Sequence, residues 1–63
     1  MSYKITLRAA RVNAGLKQTQ AAEKLGVTRD TNSNWENGKN YPNALKIKEI
    51  EQVYGVSFDE LRW

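Results

Sequence analysis

The stretch TRDTNSNWENG, residues 28–38, carries several side chains suited to specific hydrogen bonding. Arg29 offers a planar fork of N–H donors, Asp30 only accepts, and Asn34 both donates and accepts. On a helix that begins where the stretch begins, these three side chains and Ser33 face outward. The pattern favours recognition of a polar partner through paired hydrogen bonds.

Residue types that would support catalysis or metal binding are scarce. The chain has 63 residues, with no Cys and no His, which removes the soft and imidazole ligands of zinc. It also has no glycine-rich phosphate loop, and the carboxylates near its C-terminal end suit solvated helix faces. We therefore expect no enzyme, no metal, no cofactor and no small-molecule substrate.

The charge and hydropathy of the chain limit its class further. The net charge is +3 and the pI is about 9.5, which permits a polyanion such as nucleic acid but also fits a solvated surface with a few extra Lys. No apolar run approaches the roughly 20 residues of a membrane span, and MSYKITLRAARV lacks the apolar core of a signal peptide. We expect a single soluble, cytoplasmic domain over residues 1–63.

Helical periodicity dominates the sequence, whereas strand signals are weak, so we expect an all-α fold. The spacing predicts five short helices: about Tyr3 to Ala14, QTQAAEKLG, about Thr28 to Asn37, the segment after YPN to Tyr54, and VSFDELRW. The inward positions of the first, second and fourth helices are Leu7, Ala10, Arg11 and Ala14; Ala21, Ala22 and Leu25; and Ala44, Ile47, Ile50 and Tyr54.

Capping signals support these boundaries. Asn43 is suited to cap the fourth helix. Ser57 and Glu60 have the spacing of a capping box, and Val56 and Leu61 that of a hydrophobic staple, which predicts the start of the fifth helix. Glycines follow the first four segments, where a left-handed residue often ends a helix; they are Gly15, Gly26, Gly38 and Gly55.

The second and third predicted helices are separated by only Gly26 and Val27. Two short helices joined by such a turn are typical of a helix-turn-helix, here about residues 18–37. Ala22 is small enough for close helix approach, and Gly26 can take the positive φ of a tight turn. Leu25, Val27 and Trp35 then form the apolar seam, so core packing is the favoured role of Trp35 over base stacking.

With this motif in place, the chain resembles the DNA-binding domain of the Cro/C1 repressor family, also called the xenobiotic-response-element type. The resemblance covers residues 7–61, and its most specific parts are LGVTRDT, WENGKNYP and YGVSFDEL. It implies a compact five-helix, lambda-repressor-like domain. It also implies a sequence-specific regulator of transcription that binds double-stranded DNA, in most members a phage or bacterial repressor.

The resemblance also implies roles for single residues. One group contacts phosphates, and another faces the major groove. The implied phosphate contacts are Gln18 and, in the loop after the third helix, Asn37, Lys39 and Asn40; the groove-facing residues are Thr28, Arg29, Asp30, Ser33 and Asn34. Arg29 can pair with guanine O6 and N7, Asn34 with adenine N6 and N7, and Asp30 can accept from a cytosine amino group.

Plainer readings of these residues remain open. Arg29 and Asp30 also fit a solvated helix start, where an Asp is favoured by the helix dipole. Asn37 before a glycine fits ordinary helix C-terminal chemistry, and Lys39 fits an ordinary surface lysine. Arg11 lies on the apolar stripe of the first helix, where the family pairs it with the Glu of its ENG motif. The resemblance therefore implies a structural ion pair between Arg11 and Glu36.

Several inward positions depart from the family pattern. Ala10 and Ala21 replace larger aliphatic residues, and Lys17 replaces the usual Thr or Ser cap. Asn32 stands where the family has Ile or Val, and the loss of a buried aliphatic side chain costs about 2–5 kcal/mol. We favour an inward, destabilising Asn32. The alternatives are a bond to a backbone carbonyl or trapped water, a substitution made in the laboratory, and a shifted helix that leaves Asn32 partly exposed.

The partners follow from the same resemblance. We expect a palindromic operator bound by a homodimer with half-sites about one helical turn apart. The C-terminal FDELRW is the candidate contact, and Trp63 is either part of it or a lid on the first helix. The runner-up function is a protein-interaction module of the same fold, antirepressor-like and without DNA binding. Strongly salt-dependent binding to duplex DNA separates the two.

Overall fold

The computed structural model describes residues 4–63 and contains four α-helices in that range. They are α1 (Leu7–Asn13), α2 (Gln18–Leu25), α3 (Arg29–Glu36) and α4 (Ala44–Tyr54). Two short strands, β1 (Ile5–Thr6) and β2 (Leu61–Arg62), lie at the two ends of this range, and a 3₁₀ turn covers Phe58–Glu60. The expected mostly helical architecture is present, but a fifth α-helix is not.

Side-chain caps explain where three of the helices begin. Thr6 Oγ1 accepts a hydrogen bond from Ala9 N at 3.1 Å. Thr28 Oγ1 accepts from Thr31 N at 3.2 Å. Asn43 Oδ1 accepts from Lys46 N at 2.9 Å, which confirms Asn43 as the cap of α4. These bonds satisfy backbone donors of the first turn that have no partner within the helix.

The second helix begins differently, as the Lys17 departure suggests. Lys17 holds the N-cap position without a side-chain acceptor of its own. Gln20 reaches back instead, and its Oε1 accepts from Lys17 N at 2.9 Å. One half of a capping box therefore replaces the missing hydroxyl.

The predicted start of the first helix is wrong in the described part of the chain. Residues Ile5 and Thr6 are extended and pair in parallel with Leu61 and Arg62, and the helix starts only at Leu7. The predicted Tyr3 boundary lies outside the described residues. Ala14, predicted to face inward, is exposed because it is already the C-cap of α1.

The predicted fifth helix is corrected to one 3₁₀ turn. The capping contact forms, since Glu60 Oε1 accepts from Ser57 N at 2.9 Å. However, Glu60 N bonds to Ser57 O at 3.0 Å, and Leu61 then turns extended at φ −90° and ψ 136°. Pairing with β1 and burial of Leu61 outweigh the local helix signal, as tertiary contacts commonly do.

The core lies where the helices meet β1 and β2. Its buried members are Leu7, Ala10, Ala21, Leu25, Trp35, Ile50, Tyr54 and Leu61. On α4, Ile50 and Tyr54 are buried as predicted and Ile47 is half-buried, whereas Ala44 is exposed at the first turn. Within residues 4–63, no helix combines the length and apolar character that crossing a membrane would require.

Candidate nucleic-acid interface

The turn between α2 and α3 is built around Gly26. Its φ of +69° is left-handed, a conformation that L residues rarely adopt. Val27 N then donates to Ala22 O at 2.9 Å, so the chain reverses within two residues. Ala22 is buried, and α2 and α3 pack against each other. The turn fixes α3 across α2, the arrangement of a helix-turn-helix.

Lysine 46 adds a second restraint on this turn. Its Nζ donates to Leu25 O, the last residue of α2, at 2.6 Å and lies 3.3 Å from Glu49 Oε2. A cation at a helix C-terminus is favourable for the free carbonyls and for the helix dipole. Lys46, which lies on α4 outside the helix-turn-helix, therefore caps the C-terminal end of α2.

Helix α3 has a buried and an exposed face. Asn32 and Trp35 are buried, and Trp35 belongs to the core as the apolar seam predicts. The side chains of Arg29 and Asp30 are 60% and 91% exposed at the N-terminal turn, with Arg29 Nη1 3.9 Å from Asp30 Oδ1. An exposed pair at this distance contributes little to stability, so both groups are available for an external partner.

Thr28 and Ser33, two of the other predicted groove-facing residues, already make hydrogen bonds within the domain. Thr28 Oγ1 lies 2.9 Å from Thr31 Oγ1 in addition to its capping bond. Ser33 Oγ accepts from Asn37 Nδ2 at 3.4 Å, a long bond. Ser33 and Asn34 are half-buried on the flank of the exposed face. Thr28, Arg29 and Asp30 are all exposed, but Thr28 is already held by local hydrogen bonds, whereas Arg29 and Asp30 make only the long contact with each other.

The loop after α3 turns sharply away from the helix axis. Gly38 takes a φ of +73°, Gly38 N donates to Trp35 O at 3.3 Å, and Lys39 N donates to Asn34 O at 2.9 Å. This pair of bonds is a Schellman motif. It leaves Asn37, Lys39 and Asn40 exposed next to the end of α3.

The carboxylate of Glu36 joins α1, α2 and α3. Arg11 Nε donates to Glu36 Oε2 at 2.7 Å, and Arg11 Nη2 donates to Oε1 at 3.3 Å. The two side chains are only 9% and 3% exposed. Arg11 Nη1 also donates to Leu16 O at 2.9 Å. The structure thus brings together the two residues for which the resemblance implies an ion pair.

One protein-family model matches the part of the sequence that forms this site. Its description is "Helix-turn-helix", and it matches residues 7–61. The chain belongs to this helix-turn-helix family. The match confirms the Cro/C1-type helix-turn-helix resemblance over the same residues that carry it.

Two curated relatives extend the comparison. The domain is 41% identical over 61 residues to the HTH-type transcriptional activator BcrR of Enterococcus faecalis, covering 97% of this chain and 30% of the relative. It is 36% identical over 61 residues to the HTH-type transcriptional regulator ImmR of Bacillus subtilis (strain 168), covering 97% of this chain and 48% of the relative. The chain thus spans less than half of each relative. No solved structure gives a significant match.

Two contacts in the helix-turn-helix domain go beyond the sequence prediction. Gln18 Nε2 donates to Glu36 Oε1 at 3.2 Å, so the residue assigned to a phosphate is also tied to α3. Asn32 Nδ2 donates to Glu36 Oε2 at 3.3 Å. The i, i+4 spacing of Asn32 and Glu36 is a sequence signal for the second contact. The first joins residues 18 apart and has no local signal.

Asn32 is fully buried, with 0% of its surface exposed. The alternative of a shifted helix that exposes it is therefore wrong, and the inward position stands. Its Nδ2 bonds to the Glu36 carboxylate instead of a backbone carbonyl, and its Oδ1 has no hydrogen-bond partner within residues 4–63. A buried acceptor without a partner costs about 1–3 kcal/mol.

Tyr54 lies near the same ion pair. Its hydroxyl is buried and also lacks a hydrogen-bond partner in the described part of the chain. The pKa of Tyr54 is raised to about 12, first by burial and then by the negative charge of Glu36, while the positive charge of Arg11 opposes the rise. The phenol therefore stays protonated beside the ion pair well above the physiological pH range.

Proposed function

We propose that this domain is a sequence-specific, double-stranded DNA-binding regulator of transcription whose α3 enters the major groove. The observation that carries the proposal is the exposed pair Arg29 and Asp30 at the start of α3, on a helix whose other face is buried. Residues at the N-terminal end of the recognition helix contact base edges in helix-turn-helix proteins.

The donors and acceptors on this face suit base recognition. Arg29 is suited to bind guanine O6 and N7 with two parallel bonds, and Asn34 to bind adenine. Asp30 accepts from the amino group of cytosine and repels phosphate, which adds discrimination against wrong registers. Thr28 and Ser33 complete the proposed groove-facing set, with hydroxyls already held by local bonds.

The proposed phosphate contacts flank this face. Lys39 supplies a charge, while the amides of Gln18, Asn37 and Asn40 supply neutral donors. Amide and backbone N–H groups bind phosphate oxygens without adding charge. A domain with a net charge of only +3 can therefore position itself on DNA.

The sign of regulation is the finer part of the proposal. The resemblance favours a repressor of a phage or a bacterium acting in the cytoplasm, whereas one relative is by name an activator. The position of the operator relative to the promoter decides between the two. A reporter with the operator across the promoter should lose expression when the protein is present.

Selection of binding sites from random duplex DNA tests the proposed function. We expect one enriched inverted repeat, with affinity that falls steeply as salt rises because bound phosphates release counterions. Arg29→Ala should relax the preference at one base pair, whereas Lys39→Ala should weaken all sequences equally. If no sequence is enriched and no duplex binds, the fold serves as a protein-interaction module instead.

We propose further that two copies form a dimer through an aromatic patch defined by Tyr41, Pro42, Ile47, Phe58 and Trp63. These residues line a groove of about 190 Å³. The ring of Trp63 lies 6.3 Å from that of Tyr41 and 6.1 Å from that of Phe58, and all three rings are exposed. Exposed aromatic area of this kind is typical of protein interfaces.

Light scattering after gel filtration tests the dimer. Trp63→Ser should shift the protein toward the monomer and weaken binding to the full inverted repeat more than to a half-site. Val12→Ser, which removes an apolar side chain from α1 outside the patch that is 57% exposed against 40% for Trp63, is the control. A Trp63→Ser variant with the mass of the wild type would exclude this patch as the dimer contact.

A further inference from the structure

The Glu36 carboxylate is a demanding group to bury. Removing a charge from water is strongly unfavourable unless ion pairing and further hydrogen bonds satisfy its lone pairs. Four N–H donors reach it: Arg11 Nε and Asn32 Nδ2 on Oε2, and Arg11 Nη2 and Gln18 Nε2 on Oε1. Each carboxylate oxygen thus accepts two bonds, and Asn32 supplies the donor that completes the set.

We propose that Asn32 is a positioning residue for DNA recognition. Its buried amide fixes the Glu36 carboxylate and, through it, the side chain of Gln18 at the first residue of α2. The inference rests on the proposed function, in which Gln18 contacts a DNA phosphate. It assigns a role in binding to the residue that departs most from the apolar pattern of the core.

The hydrogen-bond geometry explains how the Asn32 amide acts on Gln18 through the Glu36 carboxylate. The last torsion of a glutamate side chain is broad, so the carboxylate plane is set by its donors. Asn32 and Arg11 hold Oε2 from α3 and α1, which aims Oε1 at Gln18 on α2. Gln18 Nε2 donates one hydrogen to Oε1, and its second hydrogen can bond to an external acceptor.

An aliphatic side chain at position 32 would improve the packing and weaken this arrangement. It would remove the unpartnered Oδ1 and add buried apolar surface, both of which stabilise the fold. It would also remove one of the two donors on Oε2, which costs less stability than the packing gains because Arg11 Nε still donates to that oxygen. Stability and DNA affinity should therefore change in opposite directions, whereas a purely structural Asn32 would change stability alone.

A double-mutant cycle tests the proposal with the duplex enriched by site selection. Asn32→Ile is measured in the wild-type and Gln18→Ala backgrounds, and Asn32→Val, closer in volume to Asn, serves if Ile overfills the site. We expect a higher Tm and about fivefold weaker binding in the wild-type background, the order of one modest hydrogen bond. In the Gln18→Ala background we expect no further loss.

Asn13→Ala is the matched control, because it removes an exposed amide at the end of α1. It should leave the Tm and the affinity unchanged. If the folded Asn32→Ile and Asn32→Val variants bind DNA with wild-type affinity, the inference about Asn32 is overturned and the proposed function is not. An equal loss in both Gln18 backgrounds would also overturn the inference, because the effect would not pass through Gln18. A wild-type domain that binds no duplex would overturn the proposed function and this inference with it.

Discussion

At the scale of single residues, the domain depends on one buried ion pair, Arg11 with Glu36. Glu36 lies at the end of α3, yet its carboxylate contacts side chains from α1 and α2 as well as from its own helix. The carboxylate of the last residue of α3 thus fixes this helix against α1 and α2. Changes at this carboxylate should affect folding and recognition together.

Glu36→Gln tests the weight of this charge. The variant keeps the shape of the side chain but leaves the Arg11 guanidinium buried without a counter-ion. We expect a loss of about 3 kcal/mol in the free energy of unfolding, as for other buried pairs with one partner removed. Urea unfolding measures it, with exposed Glu23→Gln as the control. A Glu36→Gln midpoint equal to that of the wild type would contradict the account.

Tyr54→Phe tests the buried phenol. The pKa of Tyr54 is raised to about 12 in the folded state, against 10.0 as its ordinary value. Its contribution to stability is therefore full below pH 10 and is lost as the pH rises toward 12.

The wild type should thus lose about 2 kcal/mol more than Tyr54→Phe between pH 10 and pH 12, measured by urea unfolding at each pH. Near pH 7 the variant should be as stable as the wild type or slightly more so, because the hydroxyl has no partner within residues 4–63. Exposed Tyr41→Phe is the control. Equal alkaline losses in the wild type and Tyr54→Phe would show that Tyr54 is not the group responsible.

At the scale of elements, the sequence predicts the helix-turn-helix well, but it predicts β1, the 3₁₀ turn and β2 poorly. Local chemistry fixes α3, since Thr28 caps its start and Gly38 follows its end. The β1–β2 pair joins residues 5 and 61, and no local pattern marks it. Residues 57–60 have the capping-box sequence and form its Glu60 contact, so local signals alone predict a helix there. The long-range pairing of β1 with β2 replaces that helix.

The candidate site divides in the same way. The exposure of Arg29 and Asp30 follows from helical periodicity, and the burial of Trp35 follows from the apolar seam. The contact of Gln18 with Glu36 depends on how α2 packs against α3, so the sequence alone does not predict it.

Lys46→Met tests whether α4 supports the motif. The change removes the donor to Leu25 O at the end of α2 and keeps the aliphatic stem. We expect a loss of about 1 kcal/mol, reduced from the value for a charged hydrogen bond because the Lys46 side chain is one quarter exposed. Exposed Lys48→Met on the same helix should change little. Thermal unfolding of both variants measures the difference, and equal Tm values would rule out the capping role.

At the scale of the whole molecule, the proposed paired binding sets a length that the domain has to match. The domain measures 34 × 23 × 19 Å, and successive major-groove half-sites on one face of DNA lie about 34 Å apart. We propose that two copies joined at the aromatic patch place their α3 helices in adjacent grooves. We propose that residues 1–63 act as one folding unit, since β1 and β2 tie the two ends of the described range together.

The measurement that most directly tests the central claim is NMR mapping of the ¹⁵N-labelled protein with its selected duplex. We predict that amide shifts concentrate at the start of α2, along residues 28–34 and along residues 37–40. The exposed side of α4, marked by Lys48 and Gln52, should stay unchanged. Shifts confined to the aromatic patch or to α4, with residues 28–34 unmoved, would contradict the reading of α3 as the recognition helix.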